Sequence, residues 1–133
     1  MKARETVLRL RRFDADEKRR KLADLEMMIR DFEQMAVDLD RQIQAEEDRT
    51  GIRDRNHHAY STFAKSALQR RDNLKVSGDS LREKLEKARL ELEEALVELT
   101  KVEQNDTHDQ SRGQQALSRM ARGSTPSRFS SNA

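Results

Sequence analysis

Apolar residues recur at alternating steps of three and four along two long stretches of the chain, and this spacing constrains the fold more than any other feature. Such spacing places the residues on one face of a helix, as in the a and d positions of a coiled coil. The first stretch comprises Leu22, Leu25, Ile29, Phe32, Ala36, Leu39 and Ile43. The second comprises Tyr60, Ala64, Ala67, Arg71, Leu74, Gly78, Leu81, Leu85, Ala88, Leu92, Ala95, Leu99 and Val102. We call these two rows the seam, and they predict two long amphipathic helices.

The residues between the two rows predict a turn. Gly51 can end a helix, and either Asn56 or Ser61 can cap the next one. We therefore expect a helix over about 3–48, a turn over about 49–58 and a helix over about 59–104. Gly78, followed by Ser80 and Glu83 in capping-box spacing, offers an alternative break in the second helix. Because the seam passes through Gly78 without losing a step, a continuous helix is favoured.

Blocks of charge predict how the two helices pair. Counting Lys and Arg against Asp and Glu, residues 1–21 carry nine and four (net +5) and residues 22–48 carry two and nine (net −7). Residues 49–75 carry seven and two (net +5), and residues 83–103 carry four and seven (net −3). An antiparallel hairpin opposes blocks of unlike sign, whereas a parallel dimer opposes like with like. We predict an all-α, antiparallel coiled-coil hairpin over residues 1–104.

Composition excludes several other classes. With 39% charged, 34% hydrophobic and 4% aromatic residues, the 133-residue chain is poorly suited to a thick globular core, and an elongated molecule is expected. The chain contains no Cys. Arg9, Arg11 and Arg12 interrupt the apolar residues of its basic N-terminal segment, and no apolar run exceeds three residues. These features predict neither a signal peptide nor a transmembrane helix. The net charge of +2 argues against a dedicated nucleic-acid binder. Residues 105–133 lack a sustained period, and we expect a flexible, disordered polar tail there.

The segment NHHAYSTFAK gathers two histidines and two aromatics beside the turn. His57 and His58 are adjacent and lack a third ligand at metal-binding spacing, so we predict no metal, no cofactor and no catalytic residue. Tyr60 and Phe63 allow two interpretations. Either they close the apex of the hairpin seam, or Phe63 stays exposed as an anchor for another protein, with Arg70 and Arg71 beside it.

The stretches RLRRFDADEKRRKLADLEMMIRDFEQMAVDLDRQIQAEE and GIRDRNHHAYSTFAKSALQRRDNLK, with the acidic helix that follows, resemble the flagellar export protein FliJ family in its alphaproteobacterial form. The resemblance covers residues 1–103. It implies a cytoplasmic, non-enzymatic coiled coil of the flagellar type III export apparatus, similar to the central stalk of rotary ATPases. The implied partners are the hexameric export ATPase, the cytoplasmic domain of the export gate protein and export chaperones. Contact with the inner membrane would occur only through those partners.

Two sets of residues are the candidate partner contacts. Near the turn, a docking face for the export gate is predicted from Met35, Tyr60, Phe63, Arg70 and Arg71. At the other end of the predicted hairpin, a basic segment is predicted to face the ATPase, and it comprises Arg11, Arg12, Arg19 and Arg20. Off-seam Leu10, Phe13 and Met28 are further candidates. The alternatives are a generic structural coiled-coil adaptor or spacer and, less favoured by the charge balance, a nucleic-acid accessory protein. Self-association is left open.

Overall fold

Two long helices form an antiparallel hairpin in the computed structural model, which describes residues 2–123. Helix α1 spans Lys2–Thr50 and helix α2 spans Thr62–Gly123. Ion pairs cross from one helix to the other in antiparallel order; within residues 16–93 they join Lys21 to Glu91, Arg82 to Glu33 and Arg71 to Asp40. The predicted all-α hairpin is therefore confirmed, with unlike charge blocks facing each other.

The seam forms the interior of the hairpin. Every predicted seam residue of both helices is buried or half-buried. Near the loop, one apolar cluster joins Leu39 and Ile43 to Tyr60, Ala64, Ala67 and Leu68. Further along, a second cluster joins Leu25 and Ile29 to Leu81 and Ala88. Heptad spacing thus identified the packed face of each helix correctly.

Local backbone chemistry sets the ends of the loop. Gly51 adopts a left-handed conformation (φ 74°), and its N–H donates to the carbonyl of Glu47 at 2.8 Å. This is the C-terminal cap geometry that glycine favours. Ser61 precedes α2, and its Oγ accepts a hydrogen bond from the N–H of Ala64 at 3.2 Å. The turn therefore covers residues 51–61 rather than about 49–58, and Ser61 rather than Asn56 caps the second helix.

The hairpin divides into two compact units, which are described separately. The first contains residues 2–15 of α1 and 94–123 of α2. Within it Ala15 and Ala95 are buried, Arg12 pairs with Glu103 at 3.9 Å, and Arg4 pairs with Asp109. The second unit contains residues 16–93, including the loop and both apolar clusters.

Helix α2 extends well beyond its predicted end near residue 104. It continues to Gly123, so residues 105–123 are helical where the sequence suggested a disordered tail. No proline interrupts this stretch, and its alanines, glutamines and arginines are good helix formers. The ion pair between Arg4 and Asp109 adds a contact with α1. The rest of the predicted tail, residues 124–133, lies outside the described residues.

Helix α2 is also continuous at Gly78, as the unbroken seam predicted. Gly78 is buried at a seam position, and a Cβ added there would meet only the Nη1 atom of Arg82, at 3.9 Å. The glycine is therefore not required by a close contact. The capping-box alternative at Ser80 is not realised, because the helix does not end there.

Candidate functional site

A shallow apolar groove runs beside the seam in the second unit. Phe32, Leu39 and Leu74 form its floor, and Met35 and Arg70 stand on its rims. Its volume is about 440 Å³, and Met35 remains 49% exposed. We call this the loop groove. The structure thus brings together Met35 and Arg70, two of the five residues predicted near the turn.

Within this unit, the two sides of the hairpin differ in how many charged residues line their grooves. Apart from Asp38 and Arg70, the loop groove has uncharged polar rims supplied by Gln42, Asn73 and Ser77. The groove on the other side of the seam also has an apolar floor, but five charged residues stand around it: Glu33, Asp40, Lys75, Asp79 and Arg82. There, Arg82 bridges to Glu33 at 2.8 Å and to Asp79 at 2.9 Å. Desolvating charged groups is costly, so the loop groove, with two charged residues against five, is the easier side for a partner to cover.

Phe63 extends the apolar character of this side towards the loop. It lies two helical turns before Arg70, which places both residues on the same face of α2. Its ring is 56% exposed. Phe63 therefore does not close the seam, and its side chain stays exposed on α2.

Tyr60 has the opposite placement. Its side chain is buried in the apolar cluster next to the loop, and its hydroxyl donates to Oε1 of Glu47 at 2.9 Å. Burial, and then the hydrogen bond to Glu47, raises the pKa of Tyr60 above its ordinary value. Tyr60 closes the apex of the hairpin and offers no exposed docking surface, which differs from its predicted grouping with Phe63.

Arg71 also belongs to the packed interior of the hairpin rather than to its exposed surface. It occupies a seam position and is half-buried, pairing with Asp40 at 2.8 Å and with Asp72 at 3.2 Å. Its Nε is buried and has no hydrogen-bond partner. A guanidinium held in this way fixes how the helices align rather than reaching out to a partner. Arg70, one residue earlier, is the exposed arginine of the pair.

The basic segment is exposed, but its arginines differ in their contacts. Arg11 and Arg12 belong to the first unit, and Arg12 reaches Glu103 of α2. In the same unit Leu10 and Phe13 are largely exposed. Arg19 and Arg20 belong to the second unit and pair along their own helix with Asp16 at 2.9 Å and Glu17 at 2.6 Å. Single exposed pairs of this kind contribute little to stability, so the arginines remain available to a partner.

The histidines lie in the exposed loop. The rings of His57 and His58 are stacked with centroids 4.5 Å apart, and Nδ1 of His57 accepts a hydrogen bond from the N–H of Ala59 at 2.9 Å. That bond supports the loop backbone. Among residues 2–123, no three His, Cys, Asp or Glu side chains come together as potential metal ligands.

Comparison of the chain with models of known families, with curated proteins and with solved structures finds no match. Within the described part of the chain, neither helix has an apolar stretch long enough to cross a lipid bilayer.

Sequence reasoning did not find the difference between the two sides of the seam. The signal was nevertheless present in the spacing, because residues 35, 38 and 42 flank the seam of α1 on the side that residues 70, 73 and 77 flank on α2. A helical projection of each row separates these residues from the charged positions 33 and 40. Which flank of α1 meets which flank of α2 follows from the antiparallel packing.

Proposed function

We propose that this protein is a non-enzymatic, cytoplasmic component of the flagellar type III export apparatus, a stalk-like coiled coil that couples the export ATPase to the export gate. The proposal rests on the resemblance of residues 1–103 to the FliJ family and on a fold compatible with it, a two-helix antiparallel hairpin. In this role the protein would reach the inner membrane only through the export apparatus, and it would assist the delivery of substrates or their chaperones.

The observation that carries the docking part of the proposal is the uncovered, largely uncharged side of the second unit. Phe63, Met35 and Arg70 are exposed there around the apolar floor of the loop groove. Aromatic and arginine side chains next to apolar pockets are the residue types most often found in binding hot spots. We assign this side to the cytoplasmic domain of the export gate protein, with Phe63 as its principal anchor.

The ATPase contact is assigned to the basic segment. In the first unit, Arg11 and Arg12 stand beside the exposed apolar residues Leu10 and Phe13, so charge and apolar area are offered together. Arginine combines a permanent charge with a planar group that can stack and hydrogen-bond, which suits contact with acidic protein surfaces. Arg19 and Arg20 extend the segment along α1.

Substitution of Phe63 tests the docking assignment. Phe63→Ala should abolish capture by the purified cytoplasmic domain of the export gate protein and should abolish swimming motility, since truncation of a hot-spot residue costs about 2 kcal/mol or more. Because the ring is exposed, circular dichroism should still report the helical hairpin. Leu90→Ala is the matched control, since Leu90 is a similarly exposed apolar residue of α2 in the same unit.

Three results would oppose the assignment. Melting of the helices by Phe63→Ala would identify the ring as a core residue. Unchanged gate binding and motility would place the docking surface elsewhere. An equal loss with Leu90→Ala would show that general apolar exposure, rather than this side of the hairpin, mediates the contact.

A further inference from the structure

Among residues 2–123, no other helix packs against the C-terminal part of α2. The ion pair between Arg4 and Asp109 lies close to the start of α1 at Lys2. Beyond that point, every residue from Gln110 to Arg122 is exposed, although the helix continues to Gly123. We call residues 110–123 the helical extension.

The seam nevertheless continues into the helical extension without a change of phase. After Val102 the same steps of four and three reach Asp106, Asp109, Gly113, Ala116 and Met120. The two aspartates are half-buried, which shows that the seam face of α2 still points towards α1 at that level. Leu117 and Met120 are 67% and 70% exposed on the continued face. The face that α1 covers earlier in α2 is thus present here but uncovered.

The residues on this face are of the kind that pack against another helix. Gly113 and Ala116 are small and Leu117 and Met120 are large, and the covered part of the seam likewise mixes glycine and alanine with leucine. Small residues allow two helix axes to approach closely while large ones fill the gaps between them. A lipid surface is a poorer match, because two large apolar side chains provide little area for anchoring in a bilayer.

Charge indicates what kind of helix would fit. Between residues 83 and 109, α2 is acidic and faces the basic first part of α1, as the contacts of Arg12 with Glu103 and of Arg4 with Asp109 show. From residue 110 onward the sequence contains four arginines and no Asp or Glu. Arg112 and Arg119 are separated by two helical turns and therefore lie along the same edge of the uncovered face. Basic residues along a seam edge select a neighbour with acidic residues at the facing edge.

We propose that the helical extension is a docking site for an acidic, amphipathic helix of a partner protein, which takes over the seam of α2 where α1 begins. Gly113, Ala116, Leu117 and Met120 provide the packed face. Arg112 and Arg119 pair with carboxylates of the incoming helix. This site lies outside the residues that resemble the FliJ family and does not depend on the export role.

Binding of two designed peptides to the full chain tests the proposal. Both are three-heptad helices with Ala and Leu at the seam positions; one has Glu at all flanking positions and the other has Lys. Fluorescence anisotropy should show the Glu peptide binding about fivefold or more tightly than the Lys peptide, with a preference that falls as salt is raised. A chain ended at Gln110 should lose the binding, and the double substitution Ala116→Glu and Met120→Glu should abolish it.

Charge-reversal variants distinguish pairing with the edge formed by Arg112 and Arg119 from general electrostatic attraction to the basic helix. Arg112→Glu with Arg119→Glu should invert the preference towards the Lys peptide. Arg122→Glu is the control, because Arg122 lies on the side of the helix away from the seam face, and it should leave the order of affinities unchanged. An equal effect of Arg122→Glu would overturn the assignment of the edge.

Other occupants would also overturn the proposal. Flotation of the full chain with vesicles of phosphatidylcholine and phosphatidylserine, lost on truncation at Gln110 and without peptide binding, would identify a membrane site. Concentration-dependent dimers that disappear with Met120→Glu, detected by sedimentation, would identify a second copy of this chain as the occupant. Equal affinity for both peptides would show that the seam face has no charge selectivity.

Discussion

Arg70 and Arg71 are adjacent in α2, but their side chains lie in different surroundings. Arg70 is exposed on the rim of the loop groove, whereas Arg71 is half-buried in the seam and bridges Asp40 and Asp72. Adjacent helical residues diverge by about 100°, so neighbours of identical chemistry meet different surroundings. Arg71 aligns the helices, and Arg70 is the exposed arginine that we propose contacts a partner.

Alanine substitutions at these two positions should therefore differ. Arg71→Ala removes the partner of Asp40 and leaves space in the seam, and we expect a loss of about 1–2 kcal/mol in the free energy of unfolding. Arg70→Ala should change it by less than about 0.5 kcal/mol, because the side chain is exposed. Urea denaturation followed by circular dichroism measures both. Equal losses would contradict the seam role of Arg71.

Glu46 links stability to pH. Hydrogen bonds first from Arg49 and then from Ser61 lower its pKa from 4.5 to about 2. A carboxyl group whose pKa is lower in the folded state stabilises the fold above its unfolded pKa. That contribution should be present at neutral pH and lost as the pH falls from 4.5 towards 2.

Glu46→Gln should accordingly flatten the acid side of the stability profile in that window. Urea midpoints at pH 7, pH 4 and pH 2.5 measure the profile. Glu83→Gln, at an exposed position of α2, is the control and should leave the profile unchanged. A profile that Glu46→Gln does not alter would show that the contacts of Glu46 with Arg49 and Ser61 do not stabilise the fold.

At the scale of the element, the glycines of the chain show that residue type does not by itself end a helix. Gly51 has a left-handed backbone and terminates α1, while Gly78 lies inside α2 with ordinary helical geometry. What separates them is the seam, which stops before Gly51 and runs through Gly78. Packing along the seam outweighs the weak helix propensity of one glycine.

Alanine at these two glycines should change stability in opposite directions. Gly78→Ala should raise the free energy of unfolding by up to about 1 kcal/mol, because alanine is the better helix former and its Cβ has room. Gly51→Ala should lower it by about 1 kcal/mol, because φ of 74° is unfavourable for alanine. Thermal unfolding of the two variants measures both effects. A destabilised Gly78→Ala variant would mean that the helix requires the glycine.

At the scale of the molecule, stability comes from a narrow interior that α1 and α2 share. Several of its buried residues are alanines, notably Ala15, Ala64, Ala88 and Ala95, and each buries little area. The helical extension adds little to this interior, since residues 110–122 are all exposed. The part of the molecule that holds it folded is thus distinct from the part that we propose binds a partner helix.

Ending the chain at Gln110 should therefore leave the midpoint of thermal unfolding nearly unchanged while lowering the helical signal in proportion to the residues removed. Leu81→Ala provides the contrast, since it empties a buried seam position and should cost about 2–3 kcal/mol. Calorimetry with circular dichroism measures both. A large fall in the midpoint on truncation would show that the helical extension stabilises the hairpin.

The sequence alone determined the helices, the seam and the antiparallel pairing. Heptad spacing is a local property, because it depends only on how residues recur along one helix. The charge blocks indicate which segments can lie side by side without repulsion. From these two signals, Leu39 and Leu81 were predicted as core residues. The same signals placed the basic block that contains Arg71 opposite the acidic block that contains Asp40.

The tertiary structure decided which flank of each helix is covered. Tyr60 and Phe63 are three residues apart, yet one is buried and the other is exposed, because burial depends on where α1 lies against the start of α2. The loop groove likewise exists only once residues of both helices meet. Contacts between distant segments set these features, and a pattern read along one segment does not contain them.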